Sequence, residues 1–155
     1  MFQFKKVLVP LDGSEFAETA LEPALAIAEA MGCEVVLFRV AQPIPRTRAL
    51  REMPDVYNEV VAAAYRETED YLNNLRTQLP YPKISVEYRP AAEGVARQIL
   101  DYAAQDGVDL IVISSHGRSG IARWTYGSVA EKVLQGACCA TLIMRGEQHD
   151  QQPGM

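Results

Sequence analysis

Residues 108–134 read VDLIVISSHGRSGIARWTYGSVAEKVL, and this stretch decides the class of fold. Residues 110–113 are apolar at four consecutive positions, which predicts a strand covered on both faces, as in a parallel sheet. A glycine-containing loop over residues 114–126 follows, and a short helix is expected to begin near Gly127 and Ser128. A buried strand, a glycine-containing loop and a helix in this order indicate an α/β fold.

The rest of the chain repeats this alternation of apolar runs and helical patterns. Strands are predicted over residues 7–9, 35–40, 84–88 and 141–144, and longer helices over residues 15–31, 55–79 and 95–104. The third strand alternates apolar and polar residues, which is typical of a strand at the edge of a sheet. The order β-α-β-α-β-α-β-α-β predicts one open parallel sheet with helices on both faces.

Local signals set the ends of the first helix and also mark two exceptions to the pattern. Ser14 is the predicted N-cap and Gly32 the predicted C-terminal glycine, but Pro23 should kink or split the helix between them. Residues 41–53 contain two prolines and three arginines and are predicted to form a loop. The long helix over residues 55–79 is expected to bury an apolar stripe made of Val56, Val60, Ala64, Tyr71, Leu72 and Leu75.

Composition and charge restrict the class of protein and of partner. The chain has 155 residues, of which 48% are hydrophobic and 23% charged, as is ordinary for one globular domain. Residues 1–145 are expected to form that domain, and residues 146–155 a flexible tail. The net charge of −5 disfavours nucleic acid and anionic membranes as partners, because both need clustered Lys and Arg.

The cysteines and the hydropathy pattern favour a soluble cytoplasmic protein. Three cysteines, an odd number with no metal-ligand spacing, are typical of a reducing compartment. No stretch approaches the ~20 apolar residues of a membrane span. Cys138 and Cys139 are adjacent, and a disulfide between them would be strained. We therefore expect structural thiols, with a redox sensor as the alternative.

Two loops are candidates for a ligand site, because open parallel sheets bind ligands beyond the carboxyl ends of their strands. Residues 10–14, PLDGS, follow the first strand, and residues 114–120, SSHGRSG, follow the fourth. A helix that begins near Ser128 directs free N–H groups at an anion, and Arg118 adds a charge. Asp12 is suited to accept from a ribose hydroxyl. This pattern favours a nucleotide, whereas the alternative is that both loops are plain turns.

The same residues have structural interpretations. Asp12 can be a turn or capping residue, Ser128 a plain N-cap, and Arg118 a solvated side chain. His116 has no orienting partner in the sequence pattern, so no catalytic residue is assigned. The chain contains no G-x-x-x-x-G-K-[ST], G-x-G-x-x-G, H-E-x-x-H or G-x-S-x-G motif.

Residues 114–134, together with VLVPLDGS at 7–14 and VDLIVI at 108–113, resemble the universal stress protein family. The resemblance extends over roughly residues 4–145. It implies a Rossmann-like, five-stranded parallel sheet of strand order 3-2-1-4-5 and a homodimer formed through the last strand, near residues 140–144. The family usually has prolines on either side of a single cysteine before the last strand, and here Cys138 and Ala140 occupy those positions, which bears on the dimer edge.

One branch of that family binds ATP through a G-x2-G-x9-G-[ST] loop. Gly117 and Gly127-Ser128 match this motif, and Ser114 stands at the first glycine position. The resemblance implies that Asp12 holds the ribose and that the backbone of Val40 contacts adenine. It further implies that the phosphates are wrapped by Gly117, Arg118, Gly127, Ser128 and Val129. The expected nucleotide-binding set is therefore Pro10, Asp12, Val40, Ser114, Gly117, Arg118, Gly127, Ser128 and Val129.

These observations predict a stress-response regulatory protein that binds ATP, with or without Mg²⁺, or another adenine nucleotide. Little or no hydrolysis is expected. One alternative is a dimeric interaction protein of the same fold that binds no nucleotide, which Ser114 would favour. Another is an adenylating ATP pyrophosphatase, but residues 10–14 lack the S-G-G-x-[DT]-S pattern of that class.

Overall fold

The computed structural model describes residues 1–90, 92–116 and 127–145. The strands are β1 Lys6–Leu11, β2 Glu34–Val40, β3 Ile84–Arg89, β4 Leu110–Ser114 and β5 Ala140–Met144. The helices are α1 Glu15–Glu18, α2 Leu21–Met31, α3 Arg48–Arg51, α4 Pro54–Gln78, α5 Val95–Gln105 and α6 Ser128–Gly136. The predicted tail and residues 117–126 of the predicted loop lie outside the described residues.

The five strands form one parallel sheet in the order β3-β2-β1-β4-β5, which confirms the expected fold. A hydrophobic core lies on each face of the sheet. Successive residues of the central strands pack into alternate cores, because side chains alternate between the two faces along a strand. Val7 and Val9 of β1 pack with α2 residues, whereas Leu8 packs with Ile99 of α5 and Val133 of α6. The prediction that the central strands are covered on both faces is therefore confirmed.

The predicted helix over residues 15–31 is two helices, α1 and α2, so its prediction as one element is wrong. The break falls at Thr19 and Ala20. A proline ring clashes with the carbonyl four residues earlier, which for Pro23 is that of Thr19. Within α2, Pro23 lies in the first turn, where no N–H donor is needed. Gly32 adopts the left-handed conformation, with φ of 68°, and ends α2 as predicted.

The segment between β2 and α4 and the first half of α4 both differ from expectation. Residues 48–51 form the one-turn helix α3, whose N-cap Thr47 accepts a hydrogen bond from the N–H of Leu50. The prediction that Val56 and Val60 are buried is wrong, since they are 37% and 39% exposed.

Helix α4 is longer than the strands β2 and β3 that it contacts. Its 25 residues span about 37 Å, whereas the 7 residues of β2 span about 23 Å. The buried residues of α4 are Thr68 and Leu72, both in its second half. An apolar helical pattern cannot report where the sheet ends, which explains the wrong prediction for the first half.

The pairing of β1 with β4 joins the two halves of the sheet. Val7 pairs with Leu110 and Leu8 with Ile111. The carboxylate of Asp109 accepts from the backbone N–H groups of Lys5 at 2.8 Å and Lys6 at 3.1 Å. Because these strands are parallel neighbours, the loops that follow them meet at the same edge of the sheet.

None of the helices in the described part of the chain combines the length and the apolarity needed to cross a membrane. The three cysteines are free thiols: Cys33 is buried, Cys139 is half-buried and Cys138 is exposed. Burial raises the pKa of the Cys33 and Cys139 thiols, which lowers their thiolate fraction and therefore their reactivity.

We expect a thiol-specific reagent at pH 8 to modify Cys138 first and Cys33 last. Burial of Cys33 both suppresses its thiolate and blocks access of the reagent. A time course by mass spectrometry, in buffer and in denaturant, measures the order. Labelling of Cys33 in buffer at the rate seen in denaturant would contradict the prediction.

Candidate functional site

A cleft of about 240 Å³ opens at the carboxyl edge of the sheet. It lies between the ends of β1, β2 and β4 and the first turns of α5 and α6. Its lining residues are Pro10, Leu11, Asp12, Ala17, Phe38, Val40, Gln42, Val95, Ile99, Ile113, Ser114, Ser115, His116, Gly127, Ser128, Val129 and Ala130.

The cleft brings together most of the residues predicted from the sequence. Pro10, Asp12, Val40, Ser114, Gly127, Ser128 and Val129 all line it. Gly117 and Arg118 lie outside the described residues. That these residues bind a ligand stays a prediction, but the loops after β1 and β4 share one cleft.

Asp12 lies in a tight turn that lines the cleft. Its Oδ1 accepts from the backbone N–H of Ser14 at 2.9 Å and from the Ser14 hydroxyl at 2.5 Å. Gly13 between them has φ of 86°, a conformation that favours glycine. Ser14 also caps α1, since its Oγ accepts from the N–H of Ala17 at 3.2 Å. Asp12 is therefore a turn residue and also lines the cleft, with its carboxylate held in one orientation.

The start of α6 lies unusually close to the end of β4. The N–H of Gly127 donates to the carbonyl of Ser115 at 2.6 Å, and a Cβ on Gly127 would lie 2.9 Å from that oxygen. Only glycine allows this approach without displacing the backbone. The close contact sets where the first turn of α6 meets the cleft.

Gly127, not Ser128, occupies the N-cap position of α6 and forms no side-chain cap. The interpretation of Ser128 as the N-cap is therefore wrong. The N–H groups of Ser128, Val129 and Ala130 have no acceptor within the helix and none among the described residues. All three residues line the cleft, so the positive end of the helix dipole lies at its wall.

The hydroxyl of Ser114, the residue at the first glycine position of the motif, is used within the loop. Its Oγ donates to the carbonyl of His116 at 2.9 Å, and the residue is 8% exposed. The Oγ of Ser115 lies 2.9 Å from Nδ1 of His116. The expectation that His116 has no orienting partner is therefore wrong, because the adjacent serine orients its ring.

The cleft is apolar at the end formed by β2 and α5. Phe38 is fully buried, and its ring lies 5.1 Å from that of Tyr102 on α5. Burial is the main reason that the pKa of Tyr102 rises to about 12, so its phenol is neutral at physiological pH. Val95 and Ile99 of α5 complete this part of the wall.

The end of β2 leaves a backbone acceptor beside this apolar surface. The N–H of Glu34 donates to the Lys5 carbonyl, on the β1 side, at 2.9 Å. The N–H of Ala41 donates to the Arg89 carbonyl, on the β3 side, at 2.9 Å. The backbone N–H and C=O groups of successive residues in a strand point to opposite neighbouring strands. Those of Val40 therefore point toward β1, as those of Glu34 do. The last β1–β2 pair is Leu11 with Arg39, so the Val40 carbonyl faces β1 beyond the last pair.

Sequence reasoning missed several lining residues, including Phe38, Gln42, Val95, Ile99 and Ser115. Phe38 and Gln42 share a signal, because they lie two residues before and after Val40 on the same side of an extended chain. Val95 and Ile99 lie one helical turn apart at the start of α5. None of these residue types has a motif of its own.

The fold and the cleft define an α/β protein with a cavity where the strand order of its sheet reverses. The model of the Universal stress protein family matches residues 3–145, and the chain belongs to this family.

Individual relatives are similar along nearly the whole chain. Universal stress protein YxiE from Bacillus subtilis is 31% identical over 147 residues, covering 92% of this chain and 99% of the relative. Universal stress protein UspA from Lactobacillus plantarum has a similar structure, with a TM-score of 0.77, 25% identity, and coverage of 94% and 100%. The structure of MJ0577 has a TM-score of 0.78, 26% identity, and coverage of 94% and 99%.

Two further solved structures share the fold at lower identity. One is a universal stress protein in complex with cAMP, with a TM-score of 0.61, 22% identity, and coverage of 92% and 98%. The other is the universal stress protein from Archaeoglobus fulgidus in complex with dAMP, with a TM-score of 0.60, 19% identity, and coverage of 92% and 98%.

Proposed function

We propose that the chain is a stress-response regulatory protein that binds ATP, or another adenine nucleotide, in the cleft at the carboxyl ends of β1 and β4. One observation carries this proposal. The ends of β2, β1 and β4 lie side by side in this order, and α6 begins beside the end of β4, so an apolar surface, a carboxylate and a row of N–H donors follow one another across the cleft. A nucleotide presents a base, a ribose and a phosphate chain in the same order.

The base fits the apolar end, where Phe38, Val40 and Ile99 remove its faces from water. The carbonyl of Val40 accepts a hydrogen bond from an amino group at the edge of the base. Asp12, next along the cleft, accepts from ribose hydroxyls through a carboxylate that Ser14 holds in place. Hydrogen bonds to an ionised group are stronger than neutral ones.

The phosphates fit the first turn of α6, because the free N–H groups of Ser128, Val129 and Ala130 at the start of this helix can donate to an anion. Gly117 and Arg118 are proposed phosphate contacts on the motif alone. Complexes of two proteins of this fold with cAMP and dAMP support an adenine nucleotide as the ligand. ATP, with or without Mg²⁺, is the ligand that the motif favours.

ATP acts in this proposal as a ligand with little or no hydrolysis, shifting the protein between states that bind it differently. We also propose a cytoplasmic homodimer formed through β5. This strand lies at the edge of the sheet and contains no charged residue, whereas the other edge strand, β3, carries Glu87 and Arg89. An uncharged edge favours pairing with a second strand.

Calorimetry on nucleotide-free protein tests the proposal. ATP, ADP, AMP and cAMP are titrated with Mg²⁺ and again with EDTA, and melting temperatures are measured in parallel. We expect saturable binding of one adenine nucleotide per chain and a higher melting temperature. Absence of both heat and thermal shift at millimolar nucleotide would overturn the proposal and favour an interaction protein that binds no nucleotide.

Asp12→Asn is expected to remove the preference for a hydroxylated ribose. The amide keeps the turn with Ser14 but lacks the carboxylate charge. Wild-type protein should bind ATP about 10- to 100-fold more tightly than 2′,3′-dideoxy-ATP, and the variant should bind the two about equally.

Asp106→Asn is the matched control for this substitution. Asp106 is exposed at the far end of α5, and its replacement makes the same change in net charge. The control should keep the wild-type ratio of the two affinities. A wild-type ratio in Asp12→Asn would show that this carboxylate does not contact the ribose.

A further inference from the structure

Helix α1 is a single turn that needs contacts from outside to hold its position. It has 4 residues, too few to be stable as a helix on their own. The break at Thr19 and Ala20 also separates it from α2. Its N-cap, Ser14, is the residue that orients the Asp12 carboxylate. Whatever fixes the position of α1 therefore also fixes the orientation of Asp12.

Contacts with the core and with α4 hold this turn. Ala17 is buried in the core and also lines the cleft. At the last residue of α1, Oε1 of Glu18 accepts a hydrogen bond from the Tyr71 hydroxyl at 3.1 Å. Tyr71 lies in the second half of α4 and packs against the same core as Ala17. This hydrogen bond therefore ties α1 to a helix that is itself anchored on the sheet.

Arg39 of β2 fixes the ring of Tyr71 in turn. Its guanidinium lies 4.8 Å from the centroid of that ring, and its Nη1 donates to Oε1 of Glu67, one helical turn before Tyr71, at 3.1 Å. The Arg39 side chain is 4% exposed, and loss of water strengthens the attraction of a cation to an aromatic ring. Arg39 also pairs with Leu11, the residue before Asp12. The network thus lies directly beside the strand end that carries Asp12.

The phenol of Tyr71 stays protonated and remains a hydrogen-bond donor at physiological pH. Burial is the main cause that raises its pKa, and the negative charges of Glu18 and, less strongly, Asp12 raise it further. A hydrogen bond to an ionised acceptor such as the Glu18 carboxylate is stronger than a neutral one. The influence of the Asp12 charge on this phenol also indicates that the two groups lie near each other.

We infer that Tyr71 is a positioning residue for the ribose-binding carboxylate of the cleft. By holding Glu18, it fixes the end of α1 and with it the N-cap Ser14. Ser14 then keeps the Asp12 carboxylate in the orientation that receives ribose hydroxyls. Tyr71 is not among the described residues that line the cleft, so it acts through Asp12. The inference rests on the proposed nucleotide function and assigns a further residue to the same site.

Tyr71→Phe is the variant that tests this inference, because it deletes the hydroxyl and leaves the ring beside Arg39. Tyr65→Phe is the matched control from the same helix. The ring of Tyr65 packs 6.2 Å from that of Tyr88, and its hydroxyl has no hydrogen-bond partner in the described part of the chain. Calorimetry measures the dissociation constants of ATP and 2′,3′-dideoxy-ATP for wild-type protein, for both variants, and for Tyr71→Phe combined with Asp12→Asn.

Tyr71→Phe should lower the preference for ATP over 2′,3′-dideoxy-ATP about three- to tenfold. The loss should fall on ATP, since the dideoxy nucleotide has no ribose hydroxyl for Asp12 to receive. Tyr65→Phe should keep the wild-type preference. The combined variant should have the same preference as Asp12→Asn alone, because a residue that acts through this carboxylate has no further effect once the carboxylate is gone.

Hydrogen exchange tests the same contact without any nucleotide. In the free protein, the backbone N–H groups of residues 14–19 should exchange faster in Tyr71→Phe than in wild-type protein, because α1 opens more often when Glu18 is released. Tyr65→Phe should exchange as wild-type protein does. Melting curves confirm that all variants are compared as folded proteins.

A wild-type preference in Tyr71→Phe, or unchanged exchange of residues 14–19, would overturn this inference and leave the proposed function standing. An equal loss of preference in Tyr65→Phe would also overturn it, because the effect would then not depend on the hydrogen bond to Glu18. Failure of wild-type protein to bind any nucleotide would overturn both the inference and the proposed function.

Discussion

Gly127→Ala is expected to weaken ATP binding by about 10- to 100-fold, a loss of about 1–3 kcal/mol. The new methyl group would lie 2.9 Å from the Ser115 carbonyl, too close for any backbone to tolerate unchanged. The end of β4 and the start of α6 must move apart. This movement breaks the 2.6 Å hydrogen bond from Gly127 to Ser115 and displaces the N–H groups that are proposed to hold the phosphates.

Gly136→Ala is the matched control, since it adds a methyl group at the other end of α6. Its Cβ meets the side-chain end of Leu100 at 2.7 Å, which a rotation of that flexible side chain relieves. Alanine also has a higher helix propensity than glycine. Affinity for ATP should stay at the wild-type value. Equal affinities of Gly127→Ala and wild-type protein would refute the role given to this close contact.

Phe38→Ala is expected to lower the free energy of unfolding by about 3–5 kcal/mol, a large part of the stability of a small domain. Phe38 is fully buried in the central part of the sheet and packs against Tyr102. Its removal leaves a cavity that adjoins the apolar end of the cleft. Urea denaturation followed by circular dichroism measures the loss.

Phe16→Ala serves as the control for Phe38→Ala, because the same side chain is deleted from the surface. Phe16 is 50% exposed in α1, and its removal should cost less than about 1 kcal/mol. Equal losses in the two variants would contradict the role of Phe38 in the core. In the folded fraction of Phe38→Ala, we also expect weaker binding of ATP, because the slot proposed for the base is no longer filled on one side.

The predictions that held were those in which one local rule decides the outcome. Consecutive apolar residues at 110–113 indicated a strand buried on both faces, and β4 is such a strand. Pro23 marked the place where the first helix divides, because its ring excludes the carbonyl of Thr19 from a helical bond. Strand order has no such local signal. It came from the resemblance to a family, since periodicity does not say which strands are neighbours.

The predictions that failed needed knowledge of what lies opposite each residue. Val56 and Val60 have the spacing of a buried stripe but lie in the first half of α4, where no residue is buried. Two residues that line the cleft, Asp12 and Ser128, could be predicted from the sequence, because Asp12 directly follows a strand and Ser128 begins a helix. Gln42 and Val95 are ordinary residues at ordinary positions, and only the folded chain brings them to the cleft.

The junction of β1 with β4 has a consequence for the order in which the protein folds. Val7 and Leu110 meet there, although they lie roughly a hundred positions apart, so this contact closes the longest loop in the sheet and is expected to form late. The cleft spans the same junction. A molecule bound in it holds together two parts of the chain that find each other last, and it favours the completed fold over every partly assembled form.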